Sequence, residues 1–372
     1  MLLRFLCLSF LAAAFVAAAP ARADDTDAIV VGQVIDLSSP NANIGRDYVA
    51  GIKTYFDGLN AAGGINGRHI RYIVKDDQGV PALAAKAATE LIERDQADFL
   101  FGGVGDDVMQ AILNAPAFQR SKLMLYAPLA DAQDTVDRRV LFWRPPYASE
   151  VDYILRHFSQ LGMTDVGIAW QDTPGGKAAL QRLLTEVQAR GMKLSGTARI
   201  GSDDARTAQE ITRLAQAQPG FVIVVADTFS TAQFLKTFRK SAPQTFVAGT
   251  SLTNLETLLE IVGPRTVDWT VFSQVVPNPN NGNSVLQREH MAMIGKYRDE
   301  PASSLTLEGY AAAKTLAKAI QRAHHPRSAL QELVAQDATI DLGGLVVVAT
   351  PNGNHLSGYL DIALFDKGAL MF

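Results

Sequence analysis

The sequence predicts an α/β protein built from two doubly wound parallel-sheet lobes joined by a multi-crossing hinge. Three observations predict it. From residue 29 onward, short β-branched or aromatic runs alternate with helix-length amphipathic segments, the pattern of parallel strands covered by helices. The alternation halts at the double proline Pro145-Pro146 and then starts again. At 372 residues, 48% hydrophobic and 19% charged, the chain is long enough to fill two cores.

Residues 1–23 stand apart in composition. Arg4 supplies a positive charge, residues 6–19 an apolar stretch, and Ala21-Arg22-Ala23 a small-x-small cleavage pattern, which together predict a signal peptide whose removal leaves Asp24 first. The apolar run is shorter than the roughly 20 residues a spanning helix needs. Later segments are too short or too polar to span a bilayer, so the mature chain is expected to be soluble. Strands are predicted over 29–35, 70–75, 99–102 and 123–126, with helices over 45–62, 82–94 and 106–118 between them. Pro145-Pro146 cannot continue a regular element and marks the passage to a second lobe. That lobe has predicted strands over 166–170, 194–200, 222–226 and 246–248, and helices over 149–161, 175–190, 206–217 and 230–240. After the turn-rich segment 276–282 come helices over 285–298, 304–323 and 328–337, then strands over 345–349 and 356–365. Helices without strands of their own need a sheet to cover, so this block is expected on the first lobe. The expected division is 24–145 plus 277–350 for the first lobe and 146–276 plus 351–372 for the second. A hinge crossed three times places a cleft at the carboxyl ends of the strands.

Cys7, inside the predicted signal, is the only cysteine, so the mature chain has neither a disulfide nor a thiol nucleophile. Loss of Arg4 and Arg22 leaves 32 basic against 38 acidic residues, moving the formal charge from −4 to −6. That balance argues against a nucleic-acid partner. Gly103-x-Gly105 precedes a helix, but Val108 replaces the third glycine of a dinucleotide fingerprint; Gly175-Gly176-Lys177 lacks the rest of a phosphate loop. No Gly-x-Ser-x-Gly elbow and no His-Glu-x-x-His helix occurs. The six histidines are scattered apart from His324-His325, and no metal site is assigned to them.

Residues 38–78 carry Ser38-Ser39-Pro40, Gly45, Gly51, the run Asn60-Ala61-Ala62-Gly63-Gly64-Ile65-Asn66-Gly67-Arg68, and Asp76-Asp77-Gln78. Glycines after a helix end reverse the chain tightly because they take positive φ freely. The combination resembles the periplasmic binding proteins of the leucine/isoleucine/valine type, whose first helix ends in a Gly-Gly-Ile-x-Gly turn. Gly309-Tyr310-Ala311-Ala312-Ala313 is similar to that family's late helix, and Gly343-Gly344 to its return to the sheet. The resemblance spans essentially the whole mature chain. It implies a type I periplasmic-binding fold, a small-molecule ligand, no cofactor, and delivery to the permease and ATPase of an ABC importer by a monomer in the periplasm.

The family's ligand contacts carry over loop by loop. In Gly103-Val104-Gly105-Asp106-Asp107, Asp106 stands beside Gly105 where other members place a carboxylate-binding serine; in Ala127-Pro128-Leu129-Ala130-Asp131, Asp131 follows Ala130 in the place of a second hydroxyl. In the second lobe Gly175 is near the place of a ring-stacking tyrosine, Asp227 replaces another, and Thr250 replaces the acidic partner of an ammonium. The expected contacts are therefore Ser39, Gly105, Asp106, Ala130 and Asp131 from the first lobe, Asp172, Asp227 and Thr250 from the second, and Tyr147 near the hinge. Of the remaining aromatics, Trp170 is the better candidate for a cleft wall, and Trp143 and Phe229 are as compatible with a core. Aspartates repel a ligand carboxylate in a partly dehydrated cleft. An amine, amide or hydroxyl-rich ligand suits them better, since carboxylates are strong acceptors. Two alternatives stay open. In one, Asp106 and Asp107 only open a helix; in the other, a hard cation such as Ca²⁺ is held by Asp106, Asp131 and Asp227. A receptor-coupled sensor, or a periplasmic hydrolase with a still unidentified nucleophile, are the competing functions.

Overall fold

The computed structural model describes residues 28–130, 138–350 and 353–372; the predicted signal peptide and Asp131 lie outside them. The first sheet is formed by β1 (Ile29–Ile35), β2 (Ile70–Asp76), β3 (Phe99–Phe101), β4 (Leu125–Tyr126) and β5 (Val140–Leu141), with α1 (Asn43–Ala61), α2 (Pro81–Glu93), α3 (Asp106–Asn114) and α4 (Pro116–Arg120) between strands. Its order is β2-β1-β3-β4-β5, parallel throughout. All seven residues of β1 are buried, which is why this segment is apolar on both faces apart from Gln33, rather than alternating. The single helix expected over 106–118 is two, because Pro116 lacks an amide hydrogen and holds Ala115 extended at φ −62°, ψ 129°.

The second lobe runs through α5 (Tyr147–Gln160), β6 (Asp165–Gln171), α6 (Pro174–Ala189), β7 (Lys193–Ile200), α7 (Asp204–Gln216), β8 (Phe221–Val225), α8 (Thr228–Phe238), β9 (Phe246–Gly249), α9 (Leu255–Val262), α10 (Pro264–Val267) and β10 (Thr270–Gln274). Then follow α11 (Val285–Tyr297), α12 (Ser304–Arg322), α13 (Ala329–Ala335), the two-stranded ribbon β11 (Thr339–Asp341) and β12 (Val346–Val348), and finally β13 (Asp361–Asp366) and β14 (Ala369–Met371). The second sheet has the order β14-β13-β10-β9-β8-β6-β7. Its last two strands join antiparallel, a departure from an all-parallel lobe. The strand expected over 356–365 begins only at Asp361, because Leu356 and Ser357 hydrogen-bond to Phe142 and Trp143 where the chain crosses between sheets. The periodicity missed four strands: β5, β11 and β14, of two or three residues each, and β10, of five.

α11 and α12 pack on α1, and one apolar core joins Tyr48, Ile52 and Phe56 of α1 to Leu307, Tyr310 and Leu316 of α12. The block after residue 276 thus covers the first sheet. Gly51 and Gly309 face each other across this helix pair: a Cβ on Gly51 would lie 1.9 Å from the Thr306 carbonyl oxygen, and one on Gly309 2.2 Å from that of Tyr48. Among the described residues, no helix is long and apolar enough to cross a membrane.

His290 on α11 is fully buried, with Nε2 3.0 Å from the Thr306 hydroxyl and its ring edge-on to Tyr310. Burial pushes its pKa down from the usual 6.5 to about 4. The unfolded chain therefore binds a proton that the folded chain refuses. Its contribution is complete above pH 6.5 and is lost as pH falls toward 4, about 3 kcal/mol at 1.36 kcal/mol per unit. Urea unfolding at pH 7 and pH 4.5 should show His290→Gln losing less stability on acidification than the parent; an equal loss in both would assign the acid sensitivity to other groups.

Candidate functional site

A cavity of about 430 Å³ opens between the lobes at the carboxyl ends of the parallel strands. The first lobe contributes Asn41, Gly79, Val104 to Val108, Leu129 and Ala130; the second contributes Tyr147, Gln171, Thr173, Arg182, Asp227 and Leu252. A larger groove of about 580 Å³, between Asp98, Lys122 and Arg327, lies at the amino ends of β3 and β4 and touches one lobe alone. Ligands of open α/β sheets bind at carboxyl ends, where helix N-termini point. The interlobe cavity is therefore the candidate.

Three helices start there. Gly105, at φ +96°, precedes α3, leaving Asp106 and Asp107 in its first turn. Thr173 caps α6, its hydroxyl accepting from the Gly176 amide at 3.1 Å. Asp227 caps α8, Oδ1 accepting from the Ser230 amide at 2.7 Å. The other oxygen of Asp227 accepts from the Gln171 carboxamide at 2.5 Å and, across the cleft, from the Asn41 carboxamide nitrogen at 3.0 Å; the Gln171 carboxamide oxygen accepts from the Asp227 backbone amide at 3.0 Å. Two more bonds tie the lobes together, Asn43 Nδ2 to Thr228 Oγ1 at 3.4 Å and Asn254 Nδ2 to Asp47 Oδ2 at 3.0 Å. This is a closed clamp. Asn41 Oδ1 is shielded from solvent without a hydrogen-bond partner, leaving an acceptor beside the cavity for an N–H or O–H donor.

The expected contacts divide. Gly105, Asp106, Ala130, Tyr147 and Asp227 line the cavity. Ser39 does not; its hydroxyl donates to Asp36 and accepts from the Asn41 amide at 3.1 Å. Asp172 points away, paired with Arg199 of the edge strand β7 at 2.9 Å. Thr250 is buried in the loop after β9, and Leu252 two residues later lines the cleft instead. Asp131 lies outside the described residues. Trp170 packs in the core of the second lobe and Trp143 in that of the first, its indole donating to Thr315 at 2.9 Å; Phe229 is 43% exposed away from the cavity. The cleft residues that sequence reasoning missed are chiefly Asn41, Gln171 and Arg182. Arg182 had a readable signal, since Gly175, Ala179 and Arg182 follow the i, i+4, i+7 spacing of one α6 face. The Arg182 guanidinium carbon sits 6.0 Å from the centre of the Tyr147 ring, within cation–π reach.

A family model described as periplasmic binding protein matches residues 28–368. The chain is 24% identical over 306 residues to a Leu/Ile/Val-binding protein of Rhizobium johnstonii, covering 79% of each. Shorter matches to glutamate receptor 1.1 of Arabidopsis thaliana and an amino acid binding protein of Pseudomonas aeruginosa span only 24% and 20% of those proteins. A substrate-binding periplasmic protein from Ralstonia solanacearum superposes with a TM-score of 0.83 at 25% identity, covering 92% of this chain and 99% of that one. The branched-chain amino acid transporter substrate binding protein of Streptococcus pneumoniae, solved with isoleucine, superposes with a TM-score of 0.80 at 16% identity, covering 92% and 97%. At that identity the likeness is one of fold.

Proposed function

The chain belongs to the type I periplasmic binding proteins of the leucine/isoleucine/valine-binding type, and we propose that it captures a small polar solute in the periplasm and delivers it to the permease and ATPase of an ABC importer. The carrying observation is the cavity lined by both lobes and spanned by the Asn41–Asp227 bridge. A ligand that contacts both lobes favours the closed form by its differential affinity for it. The cavity volume suits a metabolite of amino-acid size.

The ligand class follows from the lining. Asp106 and the Asn41 carbonyl oxygen are acceptors, while Arg182 and the N-termini of α3 and α6 favour negative charge. Asp227 is occupied as cap and bridge, so it serves closure rather than direct recognition. The reading is an amino-acid-like solute carrying an amine, amide or hydroxyl group.

The mature chain, refolded to strip retained ligand, should show a raised melting temperature with one such class in a panel of amino acids, amides, amines, polyols and aromatic acids. A ligand at 100 times its Kd adds about 2.7 kcal/mol. Asp227→Asn keeps the cap acceptor but turns a donor toward Asn41 and Gln171; it should weaken the same ligand about tenfold, the worth of one hydrogen bond. A panel with no responder, or an Asp227→Asn protein of unchanged affinity, would reject this site. Branched-chain amino acids as the strongest responders would return the ligand to the usual class of the family.

A further inference from the structure

The carboxylates that come together in this fold are not those the sequence pointed to as ligand or cation contacts. Parallel pairing of β1 with β2 sets Ile35 beside Asp76, so the strand ends deliver Asp36, Asp76 and Asp77 to one point. One carboxylate oxygen from each lies within 4.8 Å of the other two. Two left-handed residues, Gln78 at φ +56° and Gly79 at φ +68°, then fold the chain back over them.

Five of the six carboxylate oxygens have donors. Asp36 accepts from the Ser38 and Ser39 amides at 3.3 and 3.0 Å and from the Ser39 hydroxyl. Asp76 accepts from the Leu37 and Gln78 amides, both at 2.9 Å, and from the Ser38 hydroxyl at 2.5 Å. Asp77 Oδ1 accepts from the Gly79 amide at 2.8 Å. Asp77 Oδ2 has no partner, although the residue is 0% exposed. Among the described residues, no lysine or arginine pairs with any of the three. A buried carboxylate oxygen without a donor, beside two more carboxylates and without a counter-cation, is a strongly disfavoured arrangement unless something positive joins it.

We infer that Asp36, Asp76 and Asp77 hold one divalent hard cation, with calcium the best fit. The set is all oxygen, which excludes a preference for zinc or copper. Oxygens within 4.8 Å of one another are within reach of a single ion, and carboxylates delivered by two strand ends suit the flexible coordination of calcium better than the strict octahedron of magnesium. Asp76 is exposed, giving the ion a way in and room for water ligands. Gly79, which lines the cleft, sits against Asp36; a bound ion would brace that side of the cleft without touching the ligand. The inference is independent of the ligand reading above.

The test uses the mature chain freed of metal with EDTA at pH 7.5. Calcium should bind with one-to-one stoichiometry by calorimetry, with Kd on the order of 10⁻⁴–10⁻³ M as in extracellular sites, and raise the melting temperature. Asp77→Asn, which can still accept from the Gly79 amide, should fold and lose at least about tenfold in calcium affinity. If that variant fails to fold, Asp76→Asn at the exposed edge supplies the same readout. No heat and no thermal shift with Ca²⁺, Mg²⁺ or Mn²⁺ up to about 10 mM would overturn the inference. So would calcium binding that survives the substitution undiminished.

Discussion

Arg144→Met is expected to cost about 3–5 kcal/mol, because it leaves two buried carboxylates without their cation. Arg144 is 3% exposed, Glu308 and Glu150 1% each. The guanidinium grips Glu308 through two bonds of 3.0 and 2.7 Å and stands 3.9 Å from Glu150. Burial alone would lower the arginine pKa; Glu308 and then Glu150 outweigh it and hold the group above its usual value. The network also spans the hinge. Glu150 accepts from the Ser251 amide at 2.9 Å and the Ser273 hydroxyl at 2.6 Å, while His355 Nδ1 lies 2.8 Å from the Arg144 carbonyl oxygen. One ion group therefore ties together the segments near residues 144, 274 and 356, where the chain passes between sheets. Urea unfolding of the single variant and of Arg144→Met/Glu308→Leu separates charge from packing. The double variant should recover much of the loss, since a buried pair exchanged for apolar groups is often neutral. A single-variant cost under about 1 kcal/mol would show the carboxylates already satisfied by their other donors.

Gly51→Ala should be comparably damaging, at about 3 kcal/mol or more. An alanine in a helix interior ordinarily gains up to about 1 kcal/mol over glycine. Here the new methyl would meet the Thr306 carbonyl oxygen at 1.9 Å and the Tyr310 amide nitrogen at 2.9 Å. Neither is a side chain that can rotate away, so α1 and α12 must separate and the shared core must loosen. Gly295→Ala on α11, where nothing lies within 4 Å, is the matched control and should stabilise by about 0.5–1 kcal/mol. Opposite signs in chemical denaturation would identify helix approach as the reason for glycine at position 51; a stabilised Gly51→Ala protein would refute it.

Much of this was readable in one dimension. The boundaries of β1 follow from a β-branched apolar run interrupted only at Gly32-Gln33, those of α6 from Pro174 behind a capping Thr173, and the restart of the alternation from Pro145-Pro146. Each depends on chemistry within a few residues. Strands as short as β5, and a helix cut by Pro116, fell where a local pattern is too brief to count or where one ring overrules it.

The cleft was legible only in part, and the reason is physical. The resemblance placed Asp106, Asp131 and Asp227 together as acceptors for a ligand, with Asp172 closing on it from the second lobe. What a carboxylate can do, however, depends on which donors reach it. Arg199 on a neighbouring strand takes Asp172, and Gln171 and the opposite lobe's Asn41 take Asp227. The register of β1 on β2 gathers Asp36 with Asp76 and Asp77, residues 40 apart in the chain. Periodicity and turn chemistry, being local, determined the lobes and the face on which the cleft opens; strand pairing and lobe closure, being long-range, decided which polar groups stand ready in it.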